Sequence, residues 1–475
     1  MFRRLSAAAL SAPFLFAAAH LAAAPLLAHD RVFVSGQDAL VAYDLATGQE
    51  AARFATPGVS ADMVMLETGH LLLNHRDGHA VLVVDANTLT EVARFPSSTL
   101  GGTRPVHAYL SPVLLGRRVV VIMNDGDEGR TPPGTPAADS SALFVDATPG
   151  SATFLRPIGE VRLGTGHHKL AFAPDRARAV VSNIGDCAAV LQVVDFTDPT
   201  QPRIIAALEA AGIGLTGPTA AEPGARPCHP RGGQAGVRPA PHGTATDPLT
   251  GRAWHNLNGM GAFVSLDTRA EAPSFRLLPA TRGWGGAAIA AHPTAGFAYA
   301  PQFAPREGDA RSPGVACQVG QVALLDARAD RVAAELPILA DGPDCTRSLA
   351  GTPEAGLRTG YASLVADTLF LPLATLGVAT TRSHAVAVED ISVPNEPRQL
   401  PSIRVGAHTG HRDNAITGDG RLLIVPNNVD ATISVIDTAR REVVRSFPVV
   451  ATPNRIAVFG ASGASRPSGP MPVAP

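Results

Sequence analysis

Apolar residues along this chain recur in short runs broken by turn residues, and the runs come in a repeating order. The unit is plainest from Gly166 to Asn183, GHHKLAFAPDRARAVVSN, where two adjacent histidines lead into an alternating strand, LAFA. The turn PDRARA and a second strand, VVSN, follow. Variants begin at Pro241 (PHGTATDPLTGRAWHN) and Gly410 (GHRDNAITGDGRLLIVPN), with looser copies at Arg104 and Gly285. A companion unit is an apolar strand ending in Asp, then a turn, then a charged strand. It reads AVLVVDANTLTEVARF from Ala80, LQVVDFTDPTQPRIIAAL from Leu191 and ISVIDTARREVVRSF from Ile433, with further copies from Ala262 and Gln321.

Strand units repeating at roughly 40 residues, with turn signals between them, predict an all-β fold, a single β-propeller. A four-stranded blade cannot bury both faces alone, so the repeat must continue around a ring. Blades fall near 31–55, 59–96, 104–162, 166–209, 241–279, 284–338, 357–404 and 408–449, which makes eight, with seven as the alternative. The first blade lacks an innermost strand of its own, and RIAVFG from Arg455 is expected to supply it and close the ring. The expected organisation is a signal peptide over 1–28, the propeller over 29–460 and a Pro/Ser/Gly-rich disordered tail over 461–475.

Composition narrows the setting. Arg3 and Arg4 precede an apolar, Ala-rich stretch from Ala7 to Ala24, the pattern of an export signal cleaved after Ala28. No later stretch is long and apolar enough to span a bilayer, so the expected location is periplasmic or secreted, without membrane insertion. A formal net charge of −2 with no Lys/Arg run speaks against a nucleic-acid partner. Lys169 is the single lysine of the chain. In an oxidising compartment the four cysteines suggest two disulfides. Cys187 and Cys317 fall in turns between second and third strands, and Cys228 and Cys345 fall in the connections to the next blade. The expected pairs are therefore Cys187–Cys228 and Cys317–Cys345.

In a propeller the residues just before each innermost strand, and the turn between strands two and three, open on one rim of the central channel. His107, His167, His168, His242 and His411 all occupy the first of these positions. Imidazoles contributed by several blades, with Asp413 beside them, are what a divalent metal site requires, zinc first and copper second. Secondary candidates are His75 and His79, which flank an Asp-Gly turn, and the rim carboxylates Asp125, Asp127 and Asp186. The competing reading is structural: histidines at strand starts cap strands and bond to neighbouring backbone. On the residues alone both readings stand open.

No Gly-x-Ser-x-Gly elbow, P-loop, His-Glu-x-x-His or Cys-x-x-Cys-His motif is present, so no catalytic residue is assigned. A lactonase-like hydrolase would use a channel metal to activate water. A protein-interaction scaffold would use the rim without metal. Both remain as alternatives to metal binding.

The series Arg104-Pro-Val-His107, Gly166-His-His168, and Cys228 with Pro241-His-Gly243 resembles the exported β-propeller zinc metallochaperones of the AztD type. More broadly the repeats are similar to the YVTN and cytochrome-d1-like propellers, which implies fold only. The AztD resemblance implies zinc as cargo, the solute-binding protein of a metal ABC importer as partner, and His107, His167, His168 and His242 as ligands or their supports. The family's acidic, histidine-rich loop corresponds here to the turn from Asp125 to Arg130, which is acidic and has no histidine.

Overall fold

The computed structural model describes residues 30–467 apart from 59, 127–139, 187–188, 214–238, 259, 284, 287, 304–316, 341–357, 360, 375–382, 410–413, 462 and 465. Eight antiparallel sheets, each of four or five strands, follow one another along the chain. Their innermost strands are Arg455–Phe459 for blade 1, Ser60–Met65 for blade 2, Pro105–Leu110 for blade 3 and His168–Phe172 for blade 4. Blade 5 begins with Pro241–Thr246, blade 6 with Ala290–Ala291, and blade 8 with Ala415–Ile416. In blade 7 two short pieces, Arg358–Thr359 and Ser363–Val365, pair with Thr368–Ala374. The fold is an eight-bladed propeller, as the repeats predict.

The second strand of each blade is buried on both faces, which is why these strands read as unbroken apolar runs. Val119–Asn124 (VVVIMN) and Arg178–Asn183 (RAVVSN) are buried at every position. Alternate residues face opposite neighbours, as strand geometry demands. Val121 and Met123 pack with Leu170, Ala179 and Val181 of blade 4. Val120 and Ile122 pack with Leu72, Val81 and Val83 of blade 2. The outer strands Glu50–Ala55 and Thr90–Pro96 alternate between exposed and half-buried positions because only one face is covered.

The Asp that ends each third strand has a local cause. Its carboxylate accepts the backbone N–H two or three residues on, so it builds the turn to the outer strand. This holds from Asp44, which accepts from Thr47, to Asp437, which accepts from Ala439 and Arg440. The aspartates of the intervening blades do the same.

Closure is the expected one. Arg455–Phe459 pairs with Arg31–Ser35 in continuous register, Ser35 opposite Arg455 and Arg31 opposite Phe459. The Val450 N–H donates to the Tyr43 hydroxyl at 2.7 Å and that of Asn454 to the Ser35 carbonyl at 2.8 Å. Within the segment read as a tail, Arg466–Pro467 pairs with Ala415–Ile416, adding a fifth strand to blade 8. The signal-peptide stretch lies outside the described residues, and no helix among those described is long and apolar enough to cross a membrane.

Several buried ionisable groups make stability pH-dependent, His255, His408 and Glu389 most clearly. Burial pushes His255 down to about 3 and His408 down to about 4, and pushes the Glu389 carboxyl up to about 8. Below pH ~6.5 the unfolded chain binds protons that the two folded histidines refuse, so acidification favours unfolding. Glu389 acts in the opposite direction. It holds a proton in the fold that the unfolded carboxyl releases above its ordinary value, so its contribution is lost as pH rises toward 8. Together with the lowered His107 and His168, these groups predict a stability maximum near neutral pH that falls on both sides, more steeply toward acid. Denaturant midpoints across pH 4.5–8.5 check this, and Glu389→Gln should remove the alkaline limb and steepen the acid limb.

Candidate functional site

Blades 2, 3 and 5 open with the same distortion. Ser60 pairs with His75 and Asp62 with Asn74, so the ladder skips Ala61. Pro105 pairs with Asn124 and His107 with Met123, so it skips Val106. In blade 5 Pro241 pairs with Leu257 and Thr244 with His255, leaving His242 and Gly243 opposite a single residue. A bulge of this kind re-aims the side chain beside it. In all three blades the side chain at the bulge is ionisable: Asp62, His107 and His242.

Blade 4 reaches the same place differently. His167 sits one residue before its strand, held where the Ile184 N–H donates to its carbonyl and Gly185 N–H to that of Thr165, both at 3.2 Å. The turn is tight because Gly166 has φ +120°, and a Cβ there would lie 2.5 Å from the Gly185 nitrogen.

These elements bring His107, His167 and His242 together. The Nε2 atoms of His107 and His167 lie 3.0 Å apart, with ring centres separated by 4.6 Å. The His242 ring stacks on that of His167 at 5.2 Å, tilted by 18°. Behind each of the first two rings stands a carboxylate. His107 Nδ1 is 3.3 Å from Asp62 Oδ2, and His167 Nδ1 is 2.6 Å from Asp125 Oδ2. Asp62 also accepts the N–H of Ala108 at 3.1 Å and of Met63 at 2.9 Å, and it faces Arg455 Nε at 3.4 Å. Asp125, fully buried, also accepts the His168 N–H at 3.3 Å.

The tautomers follow from these partners. A carboxylate at Nδ1 can only accept, so both Nδ1 atoms carry the proton and both Nε2 atoms present a lone pair. Two lone pairs 3.0 Å apart repel unless a cation, proton or metal, lies between them. The His107 ring is held well below the ordinary histidine range, first by burial and then by the positive charge of Lys169, so it stays neutral and keeps its lone pair. Tetrahedral zinc with bonds of about 2.0–2.1 Å spaces two nitrogens by about 3.3 Å, so small ring movements would admit it. Among the described residues no group of three or more His, Cys, Asp or Glu side chains already surrounds one metal position.

The other sequence candidates have separate places. His168 is fully buried and its Nδ1 donates to the Ser182 carbonyl at 3.0 Å, a strand-stabilising role. Exposed His79, with φ +50°, accepts the Arg104 N–H on Nδ1 at 3.0 Å and so pins the connection between blades 2 and 3. His75 packs over Gly78 across the same turn. Asp186 accepts the N–H of Thr165 at 2.8 Å and of Ala189 at 3.0 Å, which shapes the turn beside His167. His411, Asp413 and Asp127 lie outside the described residues. So do Cys187, Cys228, Cys345 and the side chain of Cys317, and with them both expected disulfides.

Asp62 and Arg455 escaped the sequence reading. The available signal was positional: Asp62 in SADMVM holds the place that His107 holds in PVHAYL, and both strands share the burial pattern BiBBiB.

No protein-family model and no curated protein matches the sequence. Solved structures do. The chain is similar to apo AztD from Citrobacter koseri, with TM-score 0.52 and 13% identity over 91% of this chain and 99% of that one. The resemblance to AztD is borne out in the fold. The periplasmic gluconolactonase PpgL of Pseudomonas aeruginosa gives TM-score 0.53 and 14% identity, covering 91% of this chain and 99% of its own. Sqt1 of Saccharomyces cerevisiae gives 0.53 and 9%, covering 93% and 94%. Identities this low speak for shared architecture and leave function to the site.

Gly166→Ala should strain the backbone by about 1–3 kcal/mol and shift His167 away from His107. Thermal melts and the His167 imidazole NMR signals, compared with wild type, check both effects.

Proposed function

We propose that this protein is an exported, periplasmic zinc-binding protein that holds the ion at the channel mouth for delivery to another protein. The observation carrying this reading is the pair of Nε2 atoms 3.0 Å apart, each on a ring whose Nδ1 is held by a carboxylate. Carboxylate–histidine pairs orient the ring, fix the tautomer and raise the basicity of the ligating nitrogen. His107 and His167 are the first two donors in this proposal, and stacked His242 is the third. Water, or the sequence candidates His411 and Asp413, would complete the shell.

Asp62 and Asp125 are positioning groups here, and Arg455 faces Asp62 from the closing strand. A ring of rigid blades makes the donors ready before the metal arrives, so little ordering opposes binding. Zinc comes before copper in this proposal because fixed imidazoles match its tetrahedral geometry, which Cu(II) does not favour. Likeness to AztD in fold, together with the histidine series, favours the solute-binding component of a metal importer as the recipient.

Competition titration against a zinc chelator tests the reading. The expected result is one tightly held zinc, weakened at least about 100-fold in His107→Ala and about 10- to 100-fold in Asp62→Asn, with both variants folded. A folded wild-type protein that holds neither zinc nor copper would overturn the reading in favour of a scaffold. Zinc-dependent turnover of lactones would move it to a hydrolase.

A further inference from the structure

Arg104, one residue ahead of the strand that carries His107, holds an unusual backbone. Its φ is +61°, although Pro105 follows it and the residue before a proline is ordinarily extended. Blade 5 shows how much of this the strand start itself requires. There Ala240 precedes Pro241 with φ +42°, and its carbonyl accepts the Asn258 N–H at 3.1 Å. The Arg104 carbonyl accepts the Asp125 N–H at the same 3.1 Å. An alanine thus suffices for the turn into a bulged strand, and the turn does not account for the long side chain of Arg104.

That side chain grips the neighbouring loop. Nη1 of Arg104 donates to the Gly126 carbonyl at 3.1 Å, and the Gly126 N–H donates back to the Thr103 carbonyl at 2.9 Å. The Arg104 N–H is itself anchored on Nδ1 of His79 at 3.0 Å, and Ser140 Oγ donates to the Asp125 carbonyl at 3.0 Å. Between these fastenings lies Asp125, whose buried carboxylate stands 2.6 Å from His167 Nδ1. Residues 103–104 and 125–126 therefore form one clamp across the start of blade 3, and what it fixes is the carboxylate behind His167. A left-handed residue other than glycine persists where its surroundings over-determine it, and such residues gather at functional sites. Resting on the zinc reading, we infer that Arg104 is a positioning residue of the channel site. Its guanidinium holds the Asp125–Gly126 corner so that the carboxylate meets the His167 ring and keeps Nε2 turned toward His107.

Chelator competition on Arg104→Ala and Arg104→Met tests this. Alanine is the residue that blade 5 uses at this place, and methionine keeps the aliphatic stem, so each removes the guanidinium and leaves the strand start. Zinc should bind about tenfold more weakly in both, the lower end of what loss of an outer partner costs a metal site. In an Asp125→Asn background the same substitutions should change affinity by less than about twofold, because Arg104 acts through that carboxylate. A folded variant with wild-type affinity overturns the inference and leaves the zinc reading standing. So does an undiminished loss in the Asp125→Asn background.

A second readout needs no metal. In the zinc-free protein the ¹⁵N signal of His167 Nδ1 reports its hydrogen bond to the carboxylate, and its shift in Asp125→Asn identifies it. Arg104→Ala and Arg104→Met should move that signal in the same direction, which a general loss of stability in blade 3 would not do. An unmoved signal in a folded variant overturns the inference whatever zinc does. Absence of zinc binding by wild type removes it together with the reading beneath it.

Discussion

The structure depends on lateral burial: no blade can cover both of its apolar faces without the blade on each side. Every interface between successive blades is an apolar cluster, and the one between blades 8 and 1 is built the same way, with Ile424, Ile433 and Val435 against Val32 and Val34. That last interface exists because Arg455–Phe459 is inserted beside Arg31–Ser35. Closure therefore joins the two ends of the described chain and turns eight marginal sheets into one cooperative body. It also has a direct effect at the channel. The strand that closes the ring delivers Arg455 to within 3.4 Å of Asp62.

Rigidity gained from the ring is used at its axis. Innermost strands converge there, and regular ladders would send their side chains into the interfaces with neighbouring blades. The bulges at Ser60/Asp62, Pro105/His107 and Pro241/Thr244 break that alternation where ionisable side chains sit. What results is a polar centre inside an otherwise apolar molecule, and its charges are arranged in opposed pairs. Asp62 faces His107 and Arg455, while Asp125 faces His167 and accepts the His168 N–H. In a buried setting each such carboxylate has to be satisfied, and these are. The histidines are left with tautomers that point their lone pairs at one another.

Reading the chain in order was enough to place the blades and their strand-ending aspartates, which rest on contacts between near neighbours, and the closing strand, because the first blade lacks an innermost strand of its own. Asp44 and Thr47 are three residues apart, and Asp85 reaches Asn87 and Thr88. Histidines at strand starts could be grouped on one rim because a repeat places equivalent positions at equivalent heights. His107, His167 and His242 do come together, and Asp125 does lie with them. His168, by contrast, is adjacent in sequence to His167 and yet turned to the Ser182 carbonyl, because successive side chains of a strand leave it in opposite directions.

The sequence by itself determined the architecture, since period, apolar runs and turn chemistry are local properties and a blade has few other ways to bury its faces. The pairings at the axis belong to the tertiary structure. Asp62 meets His107 across 45 residues, His107 meets His167 across 60, and Lys169 meets Tyr361 across 192. Each depends on how far a blade rotates from its neighbour and on a bulge that shifts one strand by one residue. An error of one residue in register would turn every one of these side chains the other way. Residue types could mark a histidine-rich rim, but only the closed ring decided which nitrogen faces which, and which charge stands behind it.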